Sequence, residues 1–412
     1  MKTRIYDIIR ILPHDIIGFV AAVLVIVGMY SSRAMMSIGM IVMIANAMIN
    51  AQVFSHFKVF FKKTHLVLLS LYYVLMFISI IWTSDYVYFM GRMQVLLPFL
   101  VLPFAFFSLS RWEYRWYDLL MILFVLLNLG GISWSMYQYL QEKELFDIGY
   151  GYSKLIPTPF KNDHIRFSLS VVMSILFCLD ILSRSTHKTI RWFLYSVIII
   201  DVLYIHILAA KTGVIALYLI FFLYSLYQLA SIKYKKTGIM ILLLLSLMPF
   251  IMYRILPSFK NKVSYVIYSI EQMKNVQKQN HISDEGRLLS YAYALDIIKK
   301  YPFVGVGVGD VYDEMKIRYE KDFKEKEVKV LLPHNQFLMA GASVGIIGIV
   351  LMIAMLVSVF KTVKKNDFLY FSFLMIMLFA MMVEPLFETQ YGSCIFLFFL
   401  LLLMKRSRYY LA

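Results

Sequence analysis

The stretch LLPHNQFLMAGASVGIIGIVLMI, residues 331–353, runs from a Pro-His-Asn-Gln step straight into an apolar segment. A membrane helix takes about 20 mainly apolar residues, and this run supplies them. Asn335 after Pro333 is an ordinary helix start, since Asn is a strong N-cap. His334 has two readings. Either it only helps to cap the helix, or the membrane surface is where this chain does chemistry.

Working outward, the composition is that of a polytopic membrane protein. The chain has 412 residues, 61% of them hydrophobic and 16% charged. Its mean hydropathy is +0.72. Soluble domains have about half their residues apolar. Cys178 and Cys394 both sit in apolar runs and give neither a disulfide framework nor a metal spacing. Twelve stretches are long and apolar enough to read as spans: 14–30, 35–54, 65–83, 92–109, 116–140, 166–184, 190–209, 211–230, 237–255, 336–360, 366–384 and 390–404. The first follows Lys2, Arg4 and Arg10, as a signal peptide would, but no small-residue cleavage site follows it. It is read as a retained anchor.

The net charge of +16 invites a nucleic-acid reading, but the charges are placed by side. Lys2, Arg4 and Arg10; Lys58, Lys62 and Lys63; Arg111 and Arg115; Arg184, Lys188 and Arg191; Lys233, Lys235 and Lys236; Lys361, Lys364 and Lys365; and Lys405, Arg406 and Arg408 fall on alternate connections. The other short connections are poor in Lys and Arg. The positive-inside rule then puts both termini in the cytoplasm, and an even span count agrees. No nucleic-acid motif stands against this.

Two outer connections are long, 141–165 and 254–335, and long loops usually carry function. The expected organisation is spans one to nine over 1–253, a helical outer loop over 254–335 and spans ten to twelve over 336–412. In SDEGRLLSYAYALDIIKKYP, Leu288, Ala292 and Leu295 recur with helical period. Asp284 and Glu285 suit its start, Lys299 and Lys300 its end, and Pro302 stops it. GVGVGD reads as a tight turn, with Asp310 capping a second helix. The expectation is an all-α membrane protein with about twelve spans and a helical periplasmic cap.

On this topology His164, Arg166, Lys211, Arg287, His334, Glu384 and Glu388 all fall on the outer side, and the expectation is that they converge on one outer cavity. Three cations and two histidines suit a ligand of clustered negative charge, such as a diphosphate. Each has a plainer reading. Arg287 pairs with Asp284 or Glu285 on a surface. Lys211 snorkels to headgroups. His164 and Arg166 are interface residues, and Glu384 and Glu388 a solvated turn. Gly305, Gly307 and Gly309 lack the spacing of a phosphate loop. Asp201, near the middle of span seven with His206 beyond it, points to a different class, a transporter with an intramembrane proton or ion site. No second acid of similar depth and no broken span pairs accompany it. A structural hydrogen bond is the favoured reading for Asp201.

Three outer segments resemble the O-antigen ligase and polymerase superfamily of bacterial envelopes. In GRLLSYAYALDIIKKYPFVGVGVGD, Arg287, Pro302, Gly305 and Gly307 fill an Arg-helix-Pro-x-x-Gly-x-Gly pattern. In PHNQFLMAGASVGIIG, His334 and Asn335 match a His-Asn before a span, followed by Leu338, Gly345 and Gly348. EPLFETQYGSCIFLFFL is similar to a late Glu-rich turn, with Glu384, Glu388 and Gln390. One departure stands out. Where the family often has Ser-Arg at the start of a middle span, this chain has Ala210-Lys211, which keeps the charge and loses the bidentate fork.

The resemblance implies a glycosyltransferase on the periplasmic face of the bacterial inner membrane. The donor would be a glycan on polyprenyl diphosphate. The acceptor would be a sugar hydroxyl of lipid A-core in a ligase, or of another lipid-linked repeat in a polymerase; the ligase reading is preferred. Arg287 and Lys211, helped by Arg166, would neutralise the leaving diphosphate. His334 would take the acceptor proton. His164, Asn335, Glu384 and Glu388 complete the candidate substrate site. Direct attack would invert the anomeric centre. Without an outer Asp-x-Asp pair no metal is expected, and no cofactor or nucleic acid. Membrane lipids are the remaining partners.

Overall fold

A backbone crossing hydrocarbon must satisfy its own N–H and C=O groups, so apolar runs of this length fold as helices. The computed structural model describes residues 13–109, 112–152, 155–274, 283–323, 330–364 and 367–407. Lys2, Arg4, Arg10, Arg111, Lys365 and Arg408 of the topology argument lie outside them. Every described element is helical.

In chain order the helices are α1 His14–Ser31, α2 Arg33–Met48, α3 Val53–Phe60, α4 Thr64–Ile78, α5 Tyr86–Ser108, α6 Tyr114–Gln141, α7 Lys143–Gly149, α8 Pro159–Asn162, α9 His164–Arg184, α10 Lys188–Leu208, α11 Lys211–Leu229, α12 Lys235–Ile255, α13 Pro257–Lys274, α14 Ser283–Lys300, α15 Val311–Asp322, α16 Gln336–Phe360, α17 Phe368–Val383 and α18 Gln390–Arg406. Each of the twelve expected stretches is mostly helical, though not all are unbroken. Among the described residues nine helices are long and apolar enough to cross a membrane, or ten if α2 and α3 are one span bent by 103°. The chain is a multi-pass membrane protein. The stretch expected over 35–54 stops at Met48, where Asn50 and Gln52 turn the chain, and Phe57 and Phe60 of α3 pack on Phe104 of α5. α17 and α18 have 16 and 17 residues. At 1.5 Å per residue they fall roughly a turn short of a ~30 Å hydrocarbon core.

The chain forms two compact units, one of 1–117, 279–365 and 381–412, the other of 118–278 and 366–380. In the first, α18 is buried along its whole length, against α5 above all. In the second, α9 holds that central place, buried from Arg166 to Leu182 apart from Asp180.

α14 forms as expected, but its buried face is not the expected one. Tyr293 and Ile297 pack with Val311, Met315 and Tyr319 of α15, while Leu288 and Leu295 are exposed. Both stripes have helical period, and the aromatic one buries more apolar area. Asp310 precedes α15 without capping it through its side chain. Its carboxylate instead accepts the N–H groups of Ser84 and Asp85 at the start of α5. Two backbone donors in one direction outcompete the local cap.

The glycine-rich turn has a definite task. α16 is broken at Val344 and Gly345, and Gly345 has φ +70°. In an unbroken helix Ala342 C=O would accept from Ile346 N–H. Here Ile346 N–H donates to Pro302 C=O (2.8 Å), while Val306 and Gly307 N–H donate to Ala342 and Ser343 C=O (3.0 and 2.9 Å). The Pro302-x-x-Gly305-x-Gly307 segment thus repairs the break with its backbone. Gly305 has φ +65°, and a Cβ there would strike the Ala342 and Ser343 carbonyls. We expect Gly345→Ala to destabilise the protein by more than ~1 kcal/mol, because both φ and the Phe303 backbone oppose a side chain. A thermal melt in detergent checks this; an unchanged midpoint would contradict the strained-break account.

Candidate functional site

The first unit brings three of the expected residues together. Arg287 lies in the first turns of α14, His334 just before α16, and Glu384 just after α17. Arg287 Nη2 lies 2.9 Å from Glu384 Oε1, and His334 Nδ1 lies 3.2 Å from Glu384 Oε2. One carboxylate, 5% exposed, therefore engages a guanidinium on one oxygen and an imidazole on the other; the Arg287 side chain is 28% exposed and that of His334 20%. A buried carboxylate needs such partners. Glu384, expected as a solvated turn or a substrate ligand, is the hub of the cluster. Arg287 faces this distant partner.

α14 also grips the His334 backbone. Ser290 Oγ accepts from His334 N–H at 3.2 Å, and Tyr291 O–H donates to His334 C=O at 2.9 Å. Burial pushes the Tyr291 phenol up, Arg287 opposing and Glu384 adding, so it stays a donor. The two readings of the His-Asn pair separate here. Asn335 is the cap: its Oδ1 accepts from Phe337 and Leu338 N–H, and its Nδ2 donates to Met382 C=O. That leaves the His334 ring to Glu384.

Two further residues, unmarked in the sequence reading, hold the turn that follows Glu384. Arg92 of α5 donates through Nη1 to Glu388 C=O (2.6 Å) and through Nη2 to Phe387 C=O (3.2 Å), and lies 2.8 Å from the Glu388 carboxylate. Glu388 is thus an ion-pair partner of Arg92. Gln336, 1% exposed, accepts Phe387 N–H at 2.7 Å and reaches toward Tyr72 O–H. Arg92 stands six residues into α5. Arg92 therefore stands about 9 Å along α5 from that end. An ionisable residue inside an apolar run was the signal that could have found Arg92.

The other expected residues belong to the second unit. Arg166, near the start of α9, is paired with Asp163 at 2.6 Å, and His164 Nδ1 lies 3.2 Å from Thr158 Oγ1. Lys211 is the first residue of α11, where the helix dipole disfavours a cation. Helix stability therefore does not account for a lysine there. Asp201 is fully buried in α10, with Ser174 and Cys178 of α9 close by, and His206 is bonded to Val202 C=O and Tyr218 O–H. Neither carboxylate oxygen of Asp201 has a hydrogen-bond partner among the described residues, so the expected structural hydrogen bond is not seen; we expect Asp201→Asn to keep activity within about threefold, since a neutral amide is no harder to bury there. Loss of function together with proton-coupled substrate movement in vesicles would turn the argument to a transporter. Among the described residues no three His, Cys, Asp or Glu side chains form a metal-binding group.

Residues 196–353 match the family model described as O-antigen ligase. The resemblance to the O-antigen ligase and polymerase superfamily is borne out over that stretch, which holds Lys211, Arg287, the glycine turn, His334 and Asn335. The turn with Glu384 lies beyond it. No curated protein matches the chain.

Proposed function

We propose that this chain, with its O-antigen ligase segment, is a ligase-type membrane glycosyltransferase. It moves a glycan from polyprenyl diphosphate to a sugar hydroxyl of lipid A-core, at the periplasmic face of the inner membrane. The observation that carries the reading is the meeting of His334 and Arg287 on the two oxygens of Glu384. Lys58, Lys62, Lys63 and the other basic connections support the orientation.

In this reading the Nδ1–H of His334 donates to Glu384, and Nε2 is left to take the proton of the acceptor hydroxyl. A carboxylate behind an imidazole sets its tautomer and steadies the imidazolium that forms. The acceptor oxygen attacks the anomeric carbon as the bond to the diphosphate oxygen breaks, with inversion. The proton ends on His334 and the electron pair on the diphosphate. Arg287, turned by Glu384 through Nη2, offers the rest of its fork to the departing phosphate. Lys211 and Arg166, the further cations that the family pattern implies for the leaving group, belong to the second unit, where Arg166 is already paired with Asp163. No metal or nucleotide enters this mechanism, because the donor is already activated as a diphosphate.

Lys211→Arg should keep transfer and Lys211→Ala should reduce it by about tenfold or more, the loss of one charged contact to the leaving group. Transfer by Lys211→Ala at the wild-type rate would return Lys211 to a snorkelling role. The test of the whole reading is deletion followed by glycan analysis. A strain lacking the chain should carry bare lipid A-core and accumulate long polymer on the carrier lipid. A strain that instead carries single repeat units on lipid A-core would make the chain a polymerase.

A further inference from the structure

The Glu384 side chain serves two partners, so its value depends on where the following turn is held. Residues 384–389 make a short turn with one 3₁₀ segment, Leu386–Glu388. Such a turn has few internal hydrogen bonds and takes its shape from its surroundings. Here the surroundings are unusually specific. The Phe387 peptide nitrogen donates to Gln336, and the Phe387 and Glu388 carbonyls accept from the two terminal nitrogens of Arg92. Both side chains are buried, Arg92 at 8% and Gln336 at 1% exposure. Ser393 Oγ adds a second donor to Phe387 C=O at 3.2 Å. A buried arginine is a costly way to bond two carbonyls unless their placement matters.

We propose that Arg92 and Gln336 are positioning residues for the transfer reaction: together they clamp the Phe387–Glu388 backbone, and so hold Glu384 where it meets His334 and Arg287 at once. The proposal rests on the role given above to Glu384. Neither clamp residue contacts substrate. Gln336 follows Asn335 directly, so one end of the clamp is built into the start of the helix that presents His334. The other end comes from α5. The guanidinium fork suits the task because two adjacent carbonyls need two donors in a fixed plane; an ammonium presents one centre.

The test is a double-mutant cycle on the purified full chain in liposomes, with polyprenyl-diphosphate glycan as donor and lipid A-core as acceptor. Arg92→Lys keeps the charge beside Glu388 and loses the fork. It should lower kcat by about 30-fold, a displacement of order 1 Å at the reacting centre, with the donor KM within about twofold. Glu384→Gln should lower kcat by about 100-fold. Because the clamp acts through Glu384, adding Arg92→Lys to Glu384→Gln should cost no more than about threefold further. Gln336→Met carries the same expectations, and decides the matter if Arg92→Lys does not fold in detergent. Activity of Arg92→Lys or folded Gln336→Met above half of wild type, with Glu384→Gln impaired, overturns the clamp alone. Losses that multiply in the double variant also overturn it, since the clamp would then act elsewhere. Full activity in Glu384→Gln overturns the reading of the site and the clamp with it.

Discussion

Replacing His334 with alanine should abolish glycan transfer, by about a thousandfold or more, and leave a folded, inserted protein. In the proposed mechanism His334 is the general base, and the loss of such a base costs about 10²–10⁴ in rate. The folding half follows from the contacts. Ser290 and Tyr291 bond to the His334 backbone, which alanine retains. The cap of α16 is made by Asn335, whose bonds to Phe337 and Leu338 do not involve the imidazole. Glu384 keeps Arg287 on its other oxygen, so its buried charge stays paired. Transfer assayed on gels, beside a thermal melt of the same preparation, checks both halves. A His334→Ala protein with full activity would reduce His334 to part of a helix start.

Arg287→Lys should lose activity by about 100-fold, more than a charge-conserving change at an exposed arginine would cause. The guanidinium has one nitrogen on Glu384, and in the proposed mechanism the rest of its planar fork serves the diphosphate. A lysine has one ammonium for both. If it stays on Glu384 it withdraws from the phosphate, and if it reaches the phosphate it leaves a buried carboxylate half-paired. Either way the leaving group loses transition-state stabilisation, which mutagenesis of single donors puts at about 10²–10³ in rate. The measurement is kcat against donor concentration. A variant changed only in KM would assign Arg287 to ground-state binding.

The amino-acid sequence by itself determined the all-helical membrane architecture. Long apolar runs in hydrocarbon have no other way to satisfy their backbone, and each of the twelve is mostly helical. It determined the helix starts at Asn335 and near Arg287, and marked His334, Arg287 and Glu384 among seven chargeable residues on the outer side. It did not determine which polar residues belong together. Arg287 and Glu384 are 97 residues apart, Arg92 and Glu388 296 apart, and no local periodicity records such pairings. Nor did it select the buried stripe of α14, because two stripes of the same period compete and only the packing of Tyr293 against Tyr319 decides between them. The glycine turn shows the same division. Its sequence announces a turn, but its purpose, closing the backbone of a helix broken at Gly345, exists only once the 302–307 segment and α16 meet. Tertiary structure decided these points because buried charges and unpaired carbonyls take their partners from whatever the fold brings near.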